Sequence, residues 1–319
     1  MGENKLPYIS VIITAYNRRE FLLNAIKSVL NQTLNKKYYE IIIIKNFEDK
    51  NIDDFIDKNK IKHILMEGTM GEFLYKSISE ASGEIISFLD DDDLFFENKL
   101  DFIYKKFKKD NNIVYYHNLC IFINRNGNTL NINNLKNYPD FNMSSISIKK
   151  SIIQIDTADK INTIQKINTL PDTLMYLYAL ESNKKIVIGK EKYTYYMAHN
   201  SATIILTNNF EEYKKSINTS SELSFNTVLL FNNLFHFKKT KTINFLNSRI
   251  TGGQIYMYIF GSNEFPSKLA NYFINSSSNL KYRAVLLLLC ILIKVYPKSR
   301  KYISNKIWNI QSKPFKDVV

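Results

Sequence analysis

Residues 84–93 read Glu-Ile-Ile-Ser-Phe-Leu-Asp-Asp-Asp-Asp, an apolar run that ends at four consecutive aspartates. The run predicts a β-strand. Adjacent carboxylates repel one another, so a cluster without a counter-charge is unfavourable at the end of a strand. A divalent cation such as Mg²⁺ or Mn²⁺, which prefers carboxylate, phosphate and water oxygens, would relieve that repulsion. The alternative is a solvated acidic turn that caps the helix predicted from residue 97.

On both sides of this stretch, short β-branched runs alternate with amphipathic helical stretches. The predicted strands lie at 10–14, 40–45, 63–66, 84–89 and 113–117, and the predicted helices at 20–31, 71–81 and 97–108. This alternation predicts an α/β fold with a mainly parallel sheet, flanked by helices, and right-handed crossovers. Ligands bind such sheets beyond the carboxyl ends of the strands. We therefore expect residues 14–17 and the aspartates to line one crevice.

Beyond residue 119 the pattern becomes shorter and rich in asparagine. A helix is predicted at 170–182, with Pro171 in its first turn, which is a favoured position for proline. Two strands follow at 185–188 and 192–197, and after about residue 205 the sequence predicts helices. We therefore predict an α/β domain at 1–205 and a helical C-terminal region at 206–319.

The composition is that of a globular protein, with 45% apolar and 23% charged residues among 319. A net charge of +13 is compatible with nucleic acid, an anionic membrane or phosphorylated substrates. No zinc-finger, helix-turn-helix or RNA-recognition signature accompanies the charge, so we predict no nucleic-acid partner. Cys120 and Cys290 match no metal spacing and form no disulfide framework, which favours a reducing cytoplasm. We expect no signal peptide before the first strand.

Three blocks, in order, resemble the inverting GT-A glycosyltransferases of family 2. They lie at residues 11–33, 71–100 and 170–201, and the middle block is the most specific. The resemblance implies a GT-A domain that transfers a sugar, with inversion, from a nucleoside-diphosphate sugar to an acceptor hydroxyl. It implies a Mn²⁺ or Mg²⁺ cofactor and a UDP- or GDP-linked donor. The acceptor would be a glycan or a lipid-linked or protein-linked glycan.

By this resemblance, Asp90 and Asp92 form the family's Asp-x-Asp motif. Asp92 would hold a metal that bridges the donor's diphosphate, and Asp90 would contact the ribose or a metal-bound water. His199 would ligate the metal or hydrogen-bond the diphosphate, and is otherwise a loop residue. The other predicted donor-binding residues are Thr14, Ala15, Tyr16, Asn17, Arg18, Asn46 and Asp91.

The pair Pro171-Asp172 resembles the family's acidic pair at a helix start, whose aspartate removes the proton from the acceptor hydroxyl. An inverting transfer needs one general base on the face opposite the leaving diphosphate. Asp172 is otherwise a first-turn residue that interacts with the helix dipole. Ser144 and Ser145 resemble a segment on the acceptor side, and are otherwise part of a polar turn.

Two segments depart from the family pattern. The sequence at 45–49 is Lys-Asn-Phe-Glu-Asp, where the family usually has Asp-Asp-Gly-Ser. Asn46 keeps the capacity to donate and accept hydrogen bonds but lacks the charge. Phe-Leu-Tyr at 73–75 replaces the frequent Ala-Arg-Asn. Two alternatives stay open. One is a non-catalytic GT-A module that binds sugar nucleotides or serves as a scaffold, and the other is a nucleotidyltransferase, whose usual phosphate loop is not found.

Residues 284–293 are apolar on every side and are flanked by lysine and arginine. A helix needs about 20 apolar residues to span a membrane, so this segment is too short. It predicts either a buried core helix or an interfacial helix, with residues 281–310 on an anionic membrane surface. We favour the second, in a cytoplasmic protein that lies peripherally at the membrane's cytoplasmic face. Tyr302 and Trp308 would then lie at headgroup level.

Overall fold

A computed structural model describes residues 6–130, 140–198, 209–234, 236–276 and 280–312 of the chain. The chain divides into two compact units. The first comprises Met1–Ile123 and Pro139–Met197, and the second Asn124–Tyr138 and Ala198–Val319. The domain boundary predicted at residue 205 lies outside the described residues and stays a prediction.

A mixed sheet forms the centre of the first unit. The described strands are β1 Ile9–Ala15, β2 Tyr39–Lys45, β3 Lys62–Leu65, β4 Ile85–Asp90, β5 Leu94–Phe95, β6 Ile113–Ile123, β7 Ile146–Lys149 and β8 Lys185–Met197. Their order is β3-β2-β1-β4-β7-β6-β8-β5. The pairs β1–β2, β1–β4, β2–β3 and β6–β8 are parallel. The pairs β4–β7, β6–β7 and β5–β8 are antiparallel. The carboxyl ends of β1 to β4 thus share one edge of the sheet.

Helices flank this sheet. They are α1 Leu22–Leu30, α2 Lys50–Lys58, α3 Met70–Glu80, α4 Lys99–Lys109, α5 Ala158–Ile164 and α6 Pro171–Glu181. Helix α3 begins with a capping box, in which Thr69 and Glu72 each bond the other's backbone N–H. Ile12 and Ile13 on β1, on opposite faces of the sheet, are both fully buried. A strand covered on both faces in this way has to be apolar throughout.

The α/β fold predicted from the sequence is confirmed, and β1 to β4 lie where the pattern placed them. The sequence did not predict α2, α5 or β7. Strand β7 is short. Its Ser147 is fully buried, and the hydrogen bond between its hydroxyl and that of Ser87, at 2.7 Å, offsets the cost of burying this polar group. The residues predicted as strands at 185–188 and 192–197 are both extended, but they belong to one continuous strand, β8.

The second unit is helical over its described residues. Its helices are α7 Phe210–Leu234, α8 Thr240–Phe260, α9 Leu269–Asn275, α10 Leu280–Val295 and α11 Arg300–Ser312. Side chains from all five helices form its core, among them Tyr213, Ile255, Tyr272, Cys290 and Ile303. None of the described helices combines the length and the apolar character needed to cross a bilayer.

Gly71 allows α3 to approach the chain that follows α5. Its N–H donates to the carbonyl of Ile167 at 2.8 Å. A β-carbon at Gly71 would lie 1.6 Å from the carbonyl oxygen of Ile164, which is a backbone atom and cannot swing away. The glycine is therefore a packing requirement at this position.

We predict that Gly71→Ala destabilises the first unit by about 1–3 kcal/mol, the usual cost of overpacking. Gly253→Ala in α8 is the matched control, because the nearest atom to its β-carbon lies 3.6 Å away. Alanine also has the higher helix propensity, so the control should be neutral or stabilised by up to about 1 kcal/mol. Urea unfolding followed by circular dichroism measures both. Equal stability of the two variants would contradict the close contact.

Candidate active site

The aspartates predicted to form a site lie at the end of β4. Asp90 is the last residue of the strand and pairs in register with Thr14 near the end of β1. Asp91, Asp92 and Asp93 are buried, at 0%, 8% and 1% exposure. Burial of this many carboxylates is costly unless positive charge or hydrogen-bond donors face them. The side chains around the cluster therefore decide what it can do.

Arg18, from the loop after β1, supplies one counter-charge. Its Nε donates to Asp91 Oδ2 at 3.3 Å, its Nη2 pairs with Asp91 Oδ1, and its Nη1 pairs with Asp92 Oδ2. Burial alone would lower the pKa of Arg18, but Asp92 and Asp91 outweigh burial and raise it. The guanidinium thus ties this loop to two of the four aspartates.

The charge on the cluster is only partly compensated. Burial, with Asp92 and Asp91 beside it, raises the pKa of Asp90 to about 8 against the opposing effect of Arg18. Burial also raises the pKa of Asp91 to about 7, although Arg18 opposes that shift. For Asp93, burial and then Asp92 and Asp90 raise the pKa well above its usual range. The positive charge around the cluster therefore offsets only part of the repulsion between its carboxylates.

A layer of hydrogen bonds supports the cluster from behind. Asp93 Oδ1 accepts from the N–H of Met197 at 2.9 Å, and Ser144 Oγ accepts from the N–H of Asp90 at 2.9 Å. The carbonyl of Ser144 accepts from Lys99 Nζ and from Thr194 Oγ1. Lys99 is fully buried, and burial lowers its pKa well below the ordinary value.

Sequence reasoning missed Lys99 and Thr194. Lys99 begins a helix that contains four more lysines, so its pattern is that of a solvated helix face. Thr194 lies in β8, within the strand predicted at 192–197, where a threonine is an ordinary strand residue. Neither residue carries a local signal that marks it as a support for the site.

The ends of β1, β2 and β3 meet beside the aspartates. Asn46 Oδ1 accepts from the N–H of Asn17 at 2.8 Å, and Asn46 Nδ2 donates to Asn17 Oδ1 at 2.9 Å. Asn46 Nδ2 also lies 3.4 Å from Glu67 Oε2. Lys45 turns inward, where its Nζ donates to the carbonyl of Phe47 at 2.6 Å and pairs with Asp53. The crevice is thus lined here by amide groups and one carboxylate, and Glu67 is an addition to the predicted set.

Asp172 lies in the first turn of α6, as predicted. The helix starts after Leu170, whose φ is +60°, and Asp172 Oδ1 accepts from the N–H of Thr173 at 2.7 Å. Thr173 Oγ1 donates to the buried Asp140 at 3.1 Å, which fixes the start of the helix. The charge of Asp172 adds a minor part to the raised pKa of Asp90, so Asp172 lies within electrostatic range of the aspartate cluster.

The remaining predicted residues have differing surroundings. Ala15 is fully buried, while Tyr16 is 45% exposed with its ring edge against Phe73. Ser144 and Ser145 are both fully buried. Their contacts favour a supporting role, and their assignment to the acceptor side stays a prediction. His199, predicted as a metal ligand, lies outside the described residues.

The described residues offer no cluster of three acidic, histidine or cysteine ligands around a common point. Mg²⁺ and similar cations usually take one or two carboxylates and complete their shell with phosphate and water oxygens. Asp90 and Asp92 have the residue type that fits that arrangement.

We predict that the protein without metal loses stability as the pH rises from about 4 to about 8. The pKa of Asp90 is raised from 3.8 to about 8, so the folded state keeps a proton that the unfolded chain releases in this window. Asp90→Asn should flatten part of the decline, whereas the exposed Asp54→Asn should keep the wild-type slope. Thermal unfolding in EDTA across this pH range measures the effect. Equal slopes for all three proteins would contradict it.

Comparison with known proteins places this arrangement in a family. The family described as Glycosyl transferase family 2 matches residues 10–165. An uncharacterized glycosyltransferase of Rickettsia bellii (strain RML369-C) is 37% identical over 114 residues. That match covers 34% of this chain and 16% of the relative, so the chain spans only a small part of the relative's length.

Two solved structures share the fold. S. aureus TarS 1–349 in complex with UDP-GlcNAc aligns with a TM-score of 0.50 and 13% identity, over 97% of this chain and 92% of that one. The mannosyltransferase PcManGT from Pyrobaculum calidifontis in complex with GDP-Man and Mn²⁺ aligns with a TM-score of 0.50 and 11% identity, over 98% and 88%. At such identities the likeness concerns the fold alone. The match over residues 10–165 assigns this region of the chain to glycosyl transferase family 2, and the first unit has the GT-A fold.

Proposed function

We propose that the protein is an inverting glycosyltransferase that moves a sugar from a nucleoside-diphosphate sugar to an acceptor hydroxyl. The observation that carries the proposal is the aspartate cluster at the carboxyl edge of the sheet, with Asp172 at the start of α6 near enough to add to the raised pKa of Asp90. In the proposal, the cluster side of the crevice takes a diphosphate and its cation, and Asp172 is the base. A sugar transfer needs both functions on opposite faces of the reacting carbon.

The donor would bind along the ends of β1, β2 and β4. Asn17 and Asn46 offer amide donors and acceptors, and Arg18 offers a guanidinium to phosphate oxygens. The complexes of the two structural neighbours with UDP-GlcNAc and with GDP-Man support a nucleotide-sugar donor. Because Asn46 stands where the family usually has a carboxylate, both uracil and guanine remain candidates for the base.

Asp90 and Asp92 would hold the cation, as the Mn²⁺ complex of the mannosyltransferase supports. A bound Mn²⁺ or Mg²⁺ would stabilise the negative charge of the departing diphosphate. Arg18 already contacts Asp92, so we expect it to release part of that contact to the donor's phosphates. His199 is retained as a proposed further ligand.

Asp172 would act on the acceptor. Its carboxylate accepts the proton of the acceptor hydroxyl while that oxygen forms a bond to the anomeric carbon. The bond between this carbon and the diphosphate oxygen breaks at the same time, and the configuration at the carbon inverts. The bond between Thr173 and Asp140 holds the start of α6 and so positions Asp172 for this step.

A second candidate is a module that binds sugar nucleotides without turning them over. The ion pairs of Arg18 with Asp91 and Asp92 favour it, because they satisfy carboxylates that a catalytic cation would otherwise use. The two candidates differ in one observable result. The enzyme forms a glycosylated product, whereas the module binds donor and leaves it intact.

For the acceptor we propose a hydroxyl of a glycan, free or linked to a lipid or a protein. A lipid-linked acceptor would suit a protein that lies at the cytoplasmic face of a membrane, with residues 281–310 in contact with its surface. The attachment to the membrane is a separate proposal with its own test.

We predict that the protein releases one nucleoside diphosphate from a panel of UDP-, GDP- and dTDP-sugars in the presence of Mn²⁺ or Mg²⁺, and that EDTA stops the release. Asp92→Ala should abolish the metal-dependent rate, because it removes a proposed ligand. Asp54→Ala on the exposed side of α2 should leave the rate unchanged. A nearly normal rate for Asp92→Ala would remove the metal assignment. Binding without product, across the panel and with acceptors supplied, would favour the module.

We predict that Asp172→Asn lowers transfer by about 10²–10⁴-fold, the usual contribution of a general base. Donor affinity should be nearly unchanged, because Asp172 lies on the acceptor side. Asp159→Asn, in the first turn of α5 and exposed, is the matched control. Transfer assays and calorimetric titration with the donor separate the two effects. A parallel loss of donor affinity and rate would contradict the role of a base.

A further inference from the structure

Residues 284–293 of helix α10 are apolar around the whole circumference, but only one side of them is buried. Leu286, Cys290 and Ile293 face the core of the second unit, with exposures of 2% or less. A helix of this composition in a soluble protein is usually buried all round. The side that faces away from the core therefore needs an explanation.

That side forms a continuous apolar stripe. We call this surface the apolar stripe. It consists of five side chains with the following exposed fractions: Val285 51%, Leu288 65%, Ile291 49%, Leu292 47% and Val295 78%. Their spacing of three and four residues places them on one face of the helix. Tyr296, immediately after the helix, continues the exposed surface at 57%. Contiguous exposed apolar side chains of this kind mark an interaction site.

The charges around the apolar stripe are all of one sign. Between residues 265 and 316 the sequence has ten lysines and arginines and no aspartate or glutamate. Lys281 is exposed on the stripe side, one helical turn before Val285. Tyr302 is 69% exposed, whereas Trp308 packs against Phe210 at 5.6 Å between ring centroids. Of the two aromatic residues expected at headgroup level, the structure leaves Tyr302 available and turns Trp308 inward.

A basic cavity of about 460 Å³ lies at the C-terminal end of the apolar stripe. Its cationic lining residues are Lys214, Lys298, Arg300 and Lys301, and its acidic one is Glu211. Arg300 Nη1 donates to the carbonyl of Gly261 at 3.3 Å. Its Nε is buried and meets no acceptor among the described residues. The guanidinium also lies over the ring of Tyr258, 4.9 Å from its centroid, so ring and carbonyl hold Arg300 in place beside the exposed Lys298 and Lys301.

We propose that the apolar stripe and the basic cavity together bind the surface of an anionic phospholipid membrane. The apolar stripe would enter the boundary between headgroups and acyl chains, and the cavity would take a phosphate headgroup. Interfacial helices combine apolar burial with lysine and arginine contacts to anionic lipids in this way. A second copy of the chain fits less well, because a symmetric contact would bring the same cations face to face.

The test uses the full chain with vesicles of phosphatidylcholine, with and without phosphatidylglycerol. Co-sedimentation should show binding to the anionic vesicles at least about tenfold tighter than to the neutral ones, because each lysine near the surface favours the anionic membrane. Leu288→Gln with Val295→Gln should weaken that binding by about tenfold or more. Lys298→Gln with Lys301→Gln should do the same through the headgroup contact.

Matched controls separate lipid contact from folding. Leu223→Gln changes an apolar side chain of α7 with 52% exposure, and Lys58→Gln with Lys190→Gln removes two exposed lysines of the first unit. Both controls should bind like the wild-type protein. All variants should unfold at the wild-type temperature, because each altered side chain is largely solvent-exposed or lines an open cavity.

Three outcomes would overturn the proposal. The first is equal binding to neutral and anionic vesicles, or unchanged binding by both pairs of variants. The second is binding of inorganic phosphate that Lys298→Gln with Lys301→Gln abolishes while vesicle binding stays unchanged, which would assign the cavity to free phosphate. The third is a dimer in sedimentation velocity without lipid that Leu288→Gln dissociates. None of these measurements uses a sugar donor, so failure here is distinct from failure of the proposed transfer reaction.

Discussion

The negative charge at the end of β4 is the constraint on which the first unit depends. Three of the four aspartates there are nearly or fully buried, and desolvation of a carboxylate costs several kcal/mol unless charge or hydrogen bonds offset it. The unit meets this cost with Arg18 from the loop after β1, a backbone N–H from β8 and the bonds that hold Ser144. These contacts connect the loop after β1, the end of β4 and strand β8.

The compensation is unequal along the cluster, and this separates its members into three groups. Asp93 faces inward and accepts from the backbone of Met197, so it belongs to the support. Asp91 and Asp92 share Arg18. Burial, with Asp92 and Asp91 beside it, raises the pKa of Asp90 to about 8 even though Arg18 lowers it. A site that binds a cation only together with a diphosphate needs this incomplete compensation, because full neutralisation would remove the attraction for the cation.

Sequence reasoning succeeded where the chemistry is local. The strand that precedes the aspartates, the proline at the start of α6 and the alternation of strands and helices are all visible in single segments. It failed where a residue's role depends on distant partners. The sequence pattern of Lys99 is that of a surface lysine, but in the fold its Nζ donates to the carbonyl of Ser144 and the hydroxyl of Thr194 in the core. Glu67 becomes part of the candidate site because β3 pairs with β2, and this pairing brings Glu67 within 3.4 Å of Asn46.

The basic character of the chain belongs mainly to its C-terminal region. Residues 206–319 contain 16 lysines and arginines but only 5 aspartates and glutamates, so most of the net charge of +13 resides there. If the charge served to attract a sugar nucleotide, the excess would be expected around the sheet edge that carries Asp90 and Arg18. It is found instead on the helices that also expose the apolar stripe. Charge and apolar surface coincide on one element, and an anionic lipid surface is the partner that satisfies both.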